Sequence, residues 1–331
     1  MKNVTVLSSS ARTRRDKITT NVAGVSLSHP GKALFPEAGL TKLSLANYYA
    51  AVAERILPHL EHRPLTLVRC PDGWDKECFY QKHADRSVHA AVSRVKVPEG
   101  DHTATYLAAD SLPALVGLVQ WGVIELHPWG ARVPHLDKPD RLIFDFDPDE
   151  TIAWSALTEG VKVLRALLDK LELTGFLKTT GGKGLHVVVP IAPVLEWPQV
   201  TAFAKAVAAM FAAAWPERYT ATMSRAKRRG RIFIDYLRNT EGATAIAPYG
   251  IRARRNAPVA MPIGWDELKR DLRHDVFNVE TALCRLQRQK KDPWRNFFSI
   301  RQRLTPAMFK QIKSEGSGRL VEARKKQTAR R

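Results

Sequence analysis

The chain has 331 residues, 44% of them hydrophobic, with 52 Lys and Arg against 33 Asp and Glu and a formal net charge of +19. That length suits one large two-lobed domain or two ordinary ones, and the apolar content buries a substantial core, which excludes a disordered tail. There is no run of about 18 apolar residues to span a bilayer, and residues 1–17 lack an apolar h-region of signal-peptide length. The basic excess argues for a polyanionic partner, nucleic acid or an anionic membrane, over a generally basic soluble protein. Cys70, Cys78 and Cys284 make an odd count and suggest a reducing compartment. Cys70, Cys78, His83 and His89 lack a tight Cys-x-x-Cys pair, so a zinc set there is a weak reading.

Residues 1–24 read as a flexible basic arm. From Leu40 to Leu60 the spacing predicts a helix with Leu43, Tyr48, Val52, Ile56 and Leu57 on one face, closed with the help of Pro58 and Pro64. A strand follows over "PLTLVRC". "DSLPALVGLVQWGVIELHPWG" gives a short apolar helix and a strand ending in His127, and "DRLIFDFDP" a strand stopped by Pro148. A long amphipathic helix comes next, with Ala156, Val163, Leu164, Leu167, Leu168 and Leu171 towards the core. "GFLKTTGGKGLHVVVPI" reads as strand, glycine turn, strand. Another helix spans "TAFAKAVAAMFAAAW", and "GRIFIDYLRN" is a strand. Strands and helices mixed in this order imply α/β or α+β lobes around a shared cleft. The end of the chain, 306–331, is basic and linker-like, with eight Lys or Arg against two Glu from Lys310 onwards.

Alternation on the "RLIFDFDPDE" strand places Asp145 and Asp147 on one face with Ile143, and Leu142, Phe144 and Phe146 on the other. Two carboxylates side by side in a partly buried place repel each other and lose hydration, which a divalent cation relieves. "IFIDYLRN" repeats the pattern and offers Asp235 as a third ligand for two Mg²⁺ or Mn²⁺ ions. The plainer reading is a turn in which the acids cap a helix, and Asp149 and Glu150 suit that role. A haloacid dehalogenase-type nucleophile strand needs Thr or Val where Asp149 stands. In "TTGGKGLHVVVP" the glycines let backbone N–H groups approach an anion, with Lys183 and His186 beside them. A strand follows where a P-loop needs a helix, so this is a hairpin turn or a triphosphate site of another kind. "SRAKRRGR" reads as a solvated run or a phosphate clamp. Arg252 and Arg254 share a face, and Phe79 and Tyr80 offer rings for stacking or for the core.

Eight motifs occur in order between Leu27 and Leu304, among them "HPGKALFP", "CFYQKH", "IELHPWG", "DFDP", "TTGGKGLHVVVP", "IFIDYLRN" and "APYGIRAR". Together they resemble the polymerase domain of bacterial ATP-dependent DNA ligase D, of the archaeo-eukaryotic primase superfamily. The resemblance implies an α+β fold: a two-lobed primase-type core over 25–305, with mixed and antiparallel sheets, flanking helices and the active site in the cleft. It implies a metal triad of Asp145, Asp147 and Asp235 and a nucleotide site of His186, Lys183, Thr180, Gly184, His127, Arg252, Arg254 and Phe79. DNA would be held by Lys32 and Lys42 at a downstream 5′-phosphate, by Tyr80 near the template, and by Lys227 and Arg228 at the primer terminus.

Two departures stand out: Thr180 replaces a frequent Ser, and Arg238 differs from some members. The implied activity is template-directed addition of NTP or dNTP to primer 3′-hydroxyls in bacterial end joining, with two Mn²⁺ or Mg²⁺ ions. Gapped or broken DNA, the Ku end-binding protein and a ligase activity would be its partners, in the cytoplasm at the nucleoid. Neither a Lys-x-Asp-Gly ligase motif nor a phosphoesterase-like His cluster occurs, so the chain is a stand-alone polymerase or one domain of a longer protein. A de novo primase, a metal-dependent nuclease and a non-catalytic DNA-end binding module remain the competing readings.

Overall fold

Residues 19–268, 272 and 276–314 are described by the computed structural model. Strands β1 (Thr19–Val22) and β2 (Val25–Ser28) form a hairpin, and β3 (Ala33–Phe35) and β4 (Leu40–Thr41) a second one. The expected N-terminal arm therefore ends in a strand, and residues 1–18 lie outside the described residues. Helix α1 (Lys42–Leu60) starts at Thr41, whose side chain accepts from the Ser44 amide while the Ser44 hydroxyl accepts from the Thr41 amide. Tyr48, Val52 and Ile56 are buried as the spacing predicts, but Leu45, Tyr49 and Leu60 complete the face, and Leu43 and Leu57 are only half-buried. Pro58 lies inside the helix rather than beyond its end.

The first lobe is a five-stranded antiparallel sheet of β5 (Leu65–Arg69), β6 (Phe79–Gln81), β7 (Ser93–Glu99), β8 (His102–Ala108) and β9 (Val123–Pro128). β5 is its hub, pairing with β6, β8 and β9, and α1 packs with α2 (Leu112–Gln120) beside it. Cys70 and Cys78, flanking the loop into β6, are joined as a disulfide with Cα atoms 4.4 Å apart. This pairing replaces the zinc set considered from sequence, and it does not fit three reduced thiols; Cys284 is free and exposed.

β10 (Arg141–Pro148) opens the second lobe and is followed by α3 (Trp154–Lys170), β11 (Phe176–Thr179), β12 (Leu185–Pro190) and α4 (Trp197–Ala214). After them come β13 (Tyr219–Thr220), the short α5 (Arg225–Arg228), β14 (Ile232–Asp235), β15 (Pro262–Ile263) and α6 (Val279–Arg288). The six strands run in the order β13-β14-β10-β12-β11-β15, antiparallel except for the β13–β14 pair. This is the mixed sheet of an α+β fold. In α3 the core face is carried by Leu157, Val161, Leu164, Leu167 and Leu168, while Ala156 and Val163 sit at its edge.

Alternation gives the second sheet two different faces. Leu142, Phe144 and Phe146 of β10, with Leu185, Val187 and Val189 of β12, are buried in the main core beneath α3 and α4. Phe146 meets Phe211 of α4 edge to face at 5.9 Å. Each such side chain contributes roughly 1.5–3 kcal/mol by leaving water, which clamps the strand in register. The opposite face carries Arg141, Ile143, Asp145 and Asp147. Its apolar part packs on Trp294 and Phe297, so its polar end is held rigidly. Residues 306–314, expected as linker, are helical with Ile312 buried; 315–331 lie outside the described residues. Among the described residues no helix is long and apolar enough to cross a membrane.

Candidate active site

Four side chains form a row across four neighbouring strands. Lys178 of β11 pairs with His186 of β12, His186 with Asp145 of β10, and Asp145 with Asp235 of β14. Directly opposed residues in antiparallel strands share a face, so the row projects to one side of the sheet. Asp147 follows two residues after Asp145, at the mouth of the strand, with 57% of its side chain exposed. The acids of the "DFDPDE" run then part company. Asp149 accepts from the amide and hydroxyl of Thr151 in a local turn, Glu150 pairs with Lys183 at 2.6 Å, and α3 starts only at Trp154. The expected helix cap is not formed by them.

The carboxylates are electrostatically unequal. Burial opposes charge on Asp145, but the His186 ring, 3.3 Å from Oδ1, and the Arg238 guanidinium, 3.0 Å from Oδ2, outweigh it and hold its pKa well below the usual range. Burial raises Asp147 and Asp235, and Asp145 pushes both further up against the pull of Arg228 and Arg238. Arg238 Nε also lies 3.4 Å from Asp235 Oδ2, so a guanidinium supplies the positive charge between the two acids. Among the described residues no group of three or more His, Cys, Asp or Glu side chains is arranged to hold a metal ion. The donor set nonetheless suits a hard divalent cation, since all three are carboxylates that share a surplus of negative charge.

A cavity of about 590 Å³ opens over this row where the two lobes meet. Asp145, Asp147, His186, Thr180, Lys183, Gly184, Arg228, Arg252 and Arg254 line it from the second lobe, and Tyr80 and His127 from the first. The glycine turn is tied by Thr180, whose hydroxyl donates to the Gly184 carbonyl and accepts from the Gly182 amide. A Cβ on Gly184 would lie 2.7 Å from the Phe146 carbonyl oxygen, so only glycine permits this approach to β10. Arg252 donates to the Thr180 carbonyl at 2.9 Å and reaches Glu125 of β9 at 3.0 Å. Glu125 also lies 2.7 Å from His127 Nε2. Burial would raise its pKa, yet the His127 hydrogen bond and Arg252 bring it down to about 2. One buried carboxylate thus ties the two lobes together.

Other expected site residues lie outside the cavity wall. Phe79 is next to Tyr80 on β6, and alternation points the two rings to opposite faces; Phe79 lies by the Arg69 guanidinium at 5.2 Å. Lys227 is exposed on α5, while its neighbour Arg228 stacks on Phe233 at 3.6 Å, within 3.9 Å of Asp147. Lys32 and Lys42 lie next to each other, apart from this cavity. The Lys42 amide donates to the Lys32 carbonyl, Lys42 Nζ is bound by the Ser28 carbonyl at 2.8 Å, and exposed Lys32 pairs with Asp72 at 2.6 Å. Sequence reasoning did not single out Glu125 or Lys178, and Arg225, which also lines the cavity, entered only as part of the "SRAKRRGR" run. Glu125 was legible from its i, i+2 relation to His127 on one strand; Lys178 in "FLKT" had no such signal.

Comparison with known proteins agrees with this fold. Residues 41–294 match the family model described as "LigD, primase-polymerase domain". The multifunctional non-homologous end joining protein LigD of Pseudomonas aeruginosa is 39% identical over 291 residues, covering 88% of this chain and 35% of the relative. Its namesake from Mycolicibacterium smegmatis is 34% identical over 77% of this chain and 34% of its own length. The chain therefore spans about a third of the length of these curated relatives. The solved polymerase domain of Mycobacterium tuberculosis ligase D in complex with DNA superposes with a TM-score of 0.78 at 33% identity, covering 83% of this chain and 98% of that one. The chain belongs to the LigD primase-polymerase domain family and is an enzyme of the nucleotidyltransferase class.

Proposed function

We propose that this protein adds ribo- or deoxynucleotides to primer 3′-hydroxyls, directed by a template, at gaps and double-strand-break ends. The carrying observation is the cavity itself, where Asp145 and Asp147 face a wall of Thr180, Lys183, His186, Arg252 and Arg254, with Asp235 opposite Asp145 on the adjoining strand though not itself in the cavity lining. An acidic floor under a basic wall suits a nucleoside triphosphate bound between divalent cations and cationic side chains. Asp145, Asp147 and Asp235 would hold the ions, with Arg238 turning aside from Asp145 and Asp235. When bound, such ions lower the pKa of the attacking hydroxyl and stabilise the leaving pyrophosphate.

The chain's own groups position the nucleotide. The Thr180–Gly184 turn presents backbone N–H groups, Lys183 and His186 lie at the triphosphate end, and His127 and Arg252 face it from the other lobe. His186 is buried and its pKa is pressed down to about 4, by burial first and the charge of Lys178 next. It therefore serves as a neutral hydrogen-bond donor and not as a base. Tyr80, exposed at the cavity rim, and Phe79 behind it would meet bases, Lys227 and Arg228 the primer end, and Lys32 and Lys42 a downstream 5′-phosphate. Ku and a ligase activity are the proposed partners, and the catalytic unit is the span 25–305.

The test is extension of a labelled primer-template with each nucleotide type under Mg²⁺ or Mn²⁺. Extension that disappears in Asp145→Ala and Asp235→Ala supports the reading. Products made without primer would identify a primase, and strand shortening a nuclease. Binding of DNA by wild type with no product under either ion would overturn it in favour of a binding module.

A further inference from the structure

Two buried nitrogens on the site face have no hydrogen-bond partner, and they belong to neighbours in the same row: Nζ of Lys178 and Nδ1 of His186. The two residues stand directly opposite each other in the β11–β12 pairing, where Cβ atoms are about 4.5–5.5 Å apart and side chains emerge together. Both are buried, with 1% and 3% of their surface exposed. The other imidazole nitrogen, Nε2, faces Asp145 at 3.3 Å. The ring is thus flanked in the row by Asp145 on one side and Lys178 on the other.

The chemistry of the three groups leaves one consistent arrangement. An ionised carboxylate only accepts, so Nε2 carries the hydrogen that Asp145 receives. Nδ1 is then an acceptor, and an amine can donate to it whether or not the amine is charged. Leaving both atoms unpaired in this buried place costs more than joining them.

We propose that Lys178 is a positioning residue for His186: its amine donates to Nδ1, directly or through one water, and locks the imidazole in the Nε2–H tautomer. The consequence rests on the function proposed above. Once cations occupy the oxygens of Asp145, that carboxylate no longer orients the ring, and Lys178 becomes the group that keeps Nε2–H aimed at the triphosphate. Lys178 itself does not line the nucleotide cavity.

The experiment separates the two flanking groups. Histidine side-chain ¹⁵N spectra, assigned with His186→Gln, are recorded at neutral pH without nucleotide or divalent cation. In Asp145→Ala, Nδ1 of His186 should remain a single, unprotonated acceptor. Asp145→Ala combined with Lys178→Met should let the ring exchange between tautomers, and Asp145→Ala with Lys178→Arg should restore one tautomer. Exchange in Asp145→Ala alone, or a single tautomer in the Met double variant, overturns the proposal. Asp145→Ala keeps Lys178 in place, so it decides the matter even if the Met variant folds poorly.

In the otherwise native chain, Lys178→Met should raise KM for the nucleotide about tenfold with kcat nearly unchanged, the loss of roughly one oriented hydrogen bond. A fall in kcat alone would count against a positioning role. Failure of wild type to bind any nucleoside triphosphate would end the polymerase reading, whereas the tautomer spectra report on Lys178 independently.

Discussion

Asp145 and Asp235 stand directly opposite each other on adjacent antiparallel strands, and Arg238 Nε lies between them, 3.0 Å from one carboxylate and 3.4 Å from the other. A guanidinium is the natural counter-charge for two converging acids, and a divalent cation competes for the same oxygens. Replacing Arg238 by Met should therefore tighten Mn²⁺ binding, by about tenfold given that the Arg side chain is 41% exposed and its ion pairs partly screened. Titration calorimetry on both proteins reads this directly. Weaker Mn²⁺ binding in the variant would show that Arg238 supports the ion site instead of competing with it.

Asp235 tests the cost of the acidic cluster. A carboxyl whose pKa rises on folding favours the fold at pH below its unfolded value and opposes it once pH exceeds its folded value. Burial raises Asp235, with Asp145 adding to the rise and Arg238 opposing it. Asp235→Asn should accordingly raise Tm at neutral pH by about 1–2 °C, the shift expected for roughly 1 kcal/mol in a chain this large. The gain should shrink as pH falls through the carboxylate range, and primer extension should be lost. Calorimetric scans across pH, with and without Mn²⁺, check it: the ion should stabilise wild type more than the variant.

Lys178 has the opposite sign. Its pKa falls on folding, to about 7 from 10.5, because burial disfavours the charged amine. A base lowered in this way imposes its full penalty below pH ~7, and the penalty disappears above its unfolded value. Lys178→Met should therefore change Tm more favourably at pH 7 than near pH 10.5. Equal Tm differences at the two pH values would show that the amine is not desolvated as the fold requires.

The paired lysines should behave differently from each other. Lys32 is exposed and held only by Asp72, so Lys32→Ala should leave stability within about 0.5 kcal/mol while reducing the preference for a 5′-phosphorylated gap roughly tenfold. Lys42 is 7% exposed and tied to the Ser28 carbonyl and Gln120. Lys42→Ala should therefore lower both 5′-phosphate preference and Tm. Gel-shift titrations on gaps with and without the phosphate, beside thermal melts, separate the two effects. Equal affinity of wild type for both gaps would remove the phosphate site.

Much of the molecule follows from local rules. The strict alternation in "RLIFDFDP" alone separates Leu142, Phe144 and Phe146 from Asp145 and Asp147, because a strand has only two faces. The Thr41 cap and the apolar spacing that follows it place α1, and the order of short motifs carries the family. Sequence alone therefore nominated Asp145, Asp147 and Asp235 and placed them on strands, which the structure shows to be neighbours in one sheet.

What it could not settle were relationships made by register and by contact between lobes. Nothing local aligns Lys178 with His186 or brings Asp235 opposite Asp145, since pairing depends on which strands become neighbours. Asp149 and Glu150 looked like the start of a helix because acids favour that position, yet a turn and an ion pair with Lys183 claimed them. Glu125 is an ordinary strand acid until Arg252 arrives from the other lobe. The disulfide between Cys70 and Cys78 needed the loop that brings their Cα atoms together. Composition and periodicity act on a residue and its chain neighbours, whereas charge, burial and hydrogen bonding in this site are shared among strands distant in sequence, and only the tertiary structure places those strands side by side.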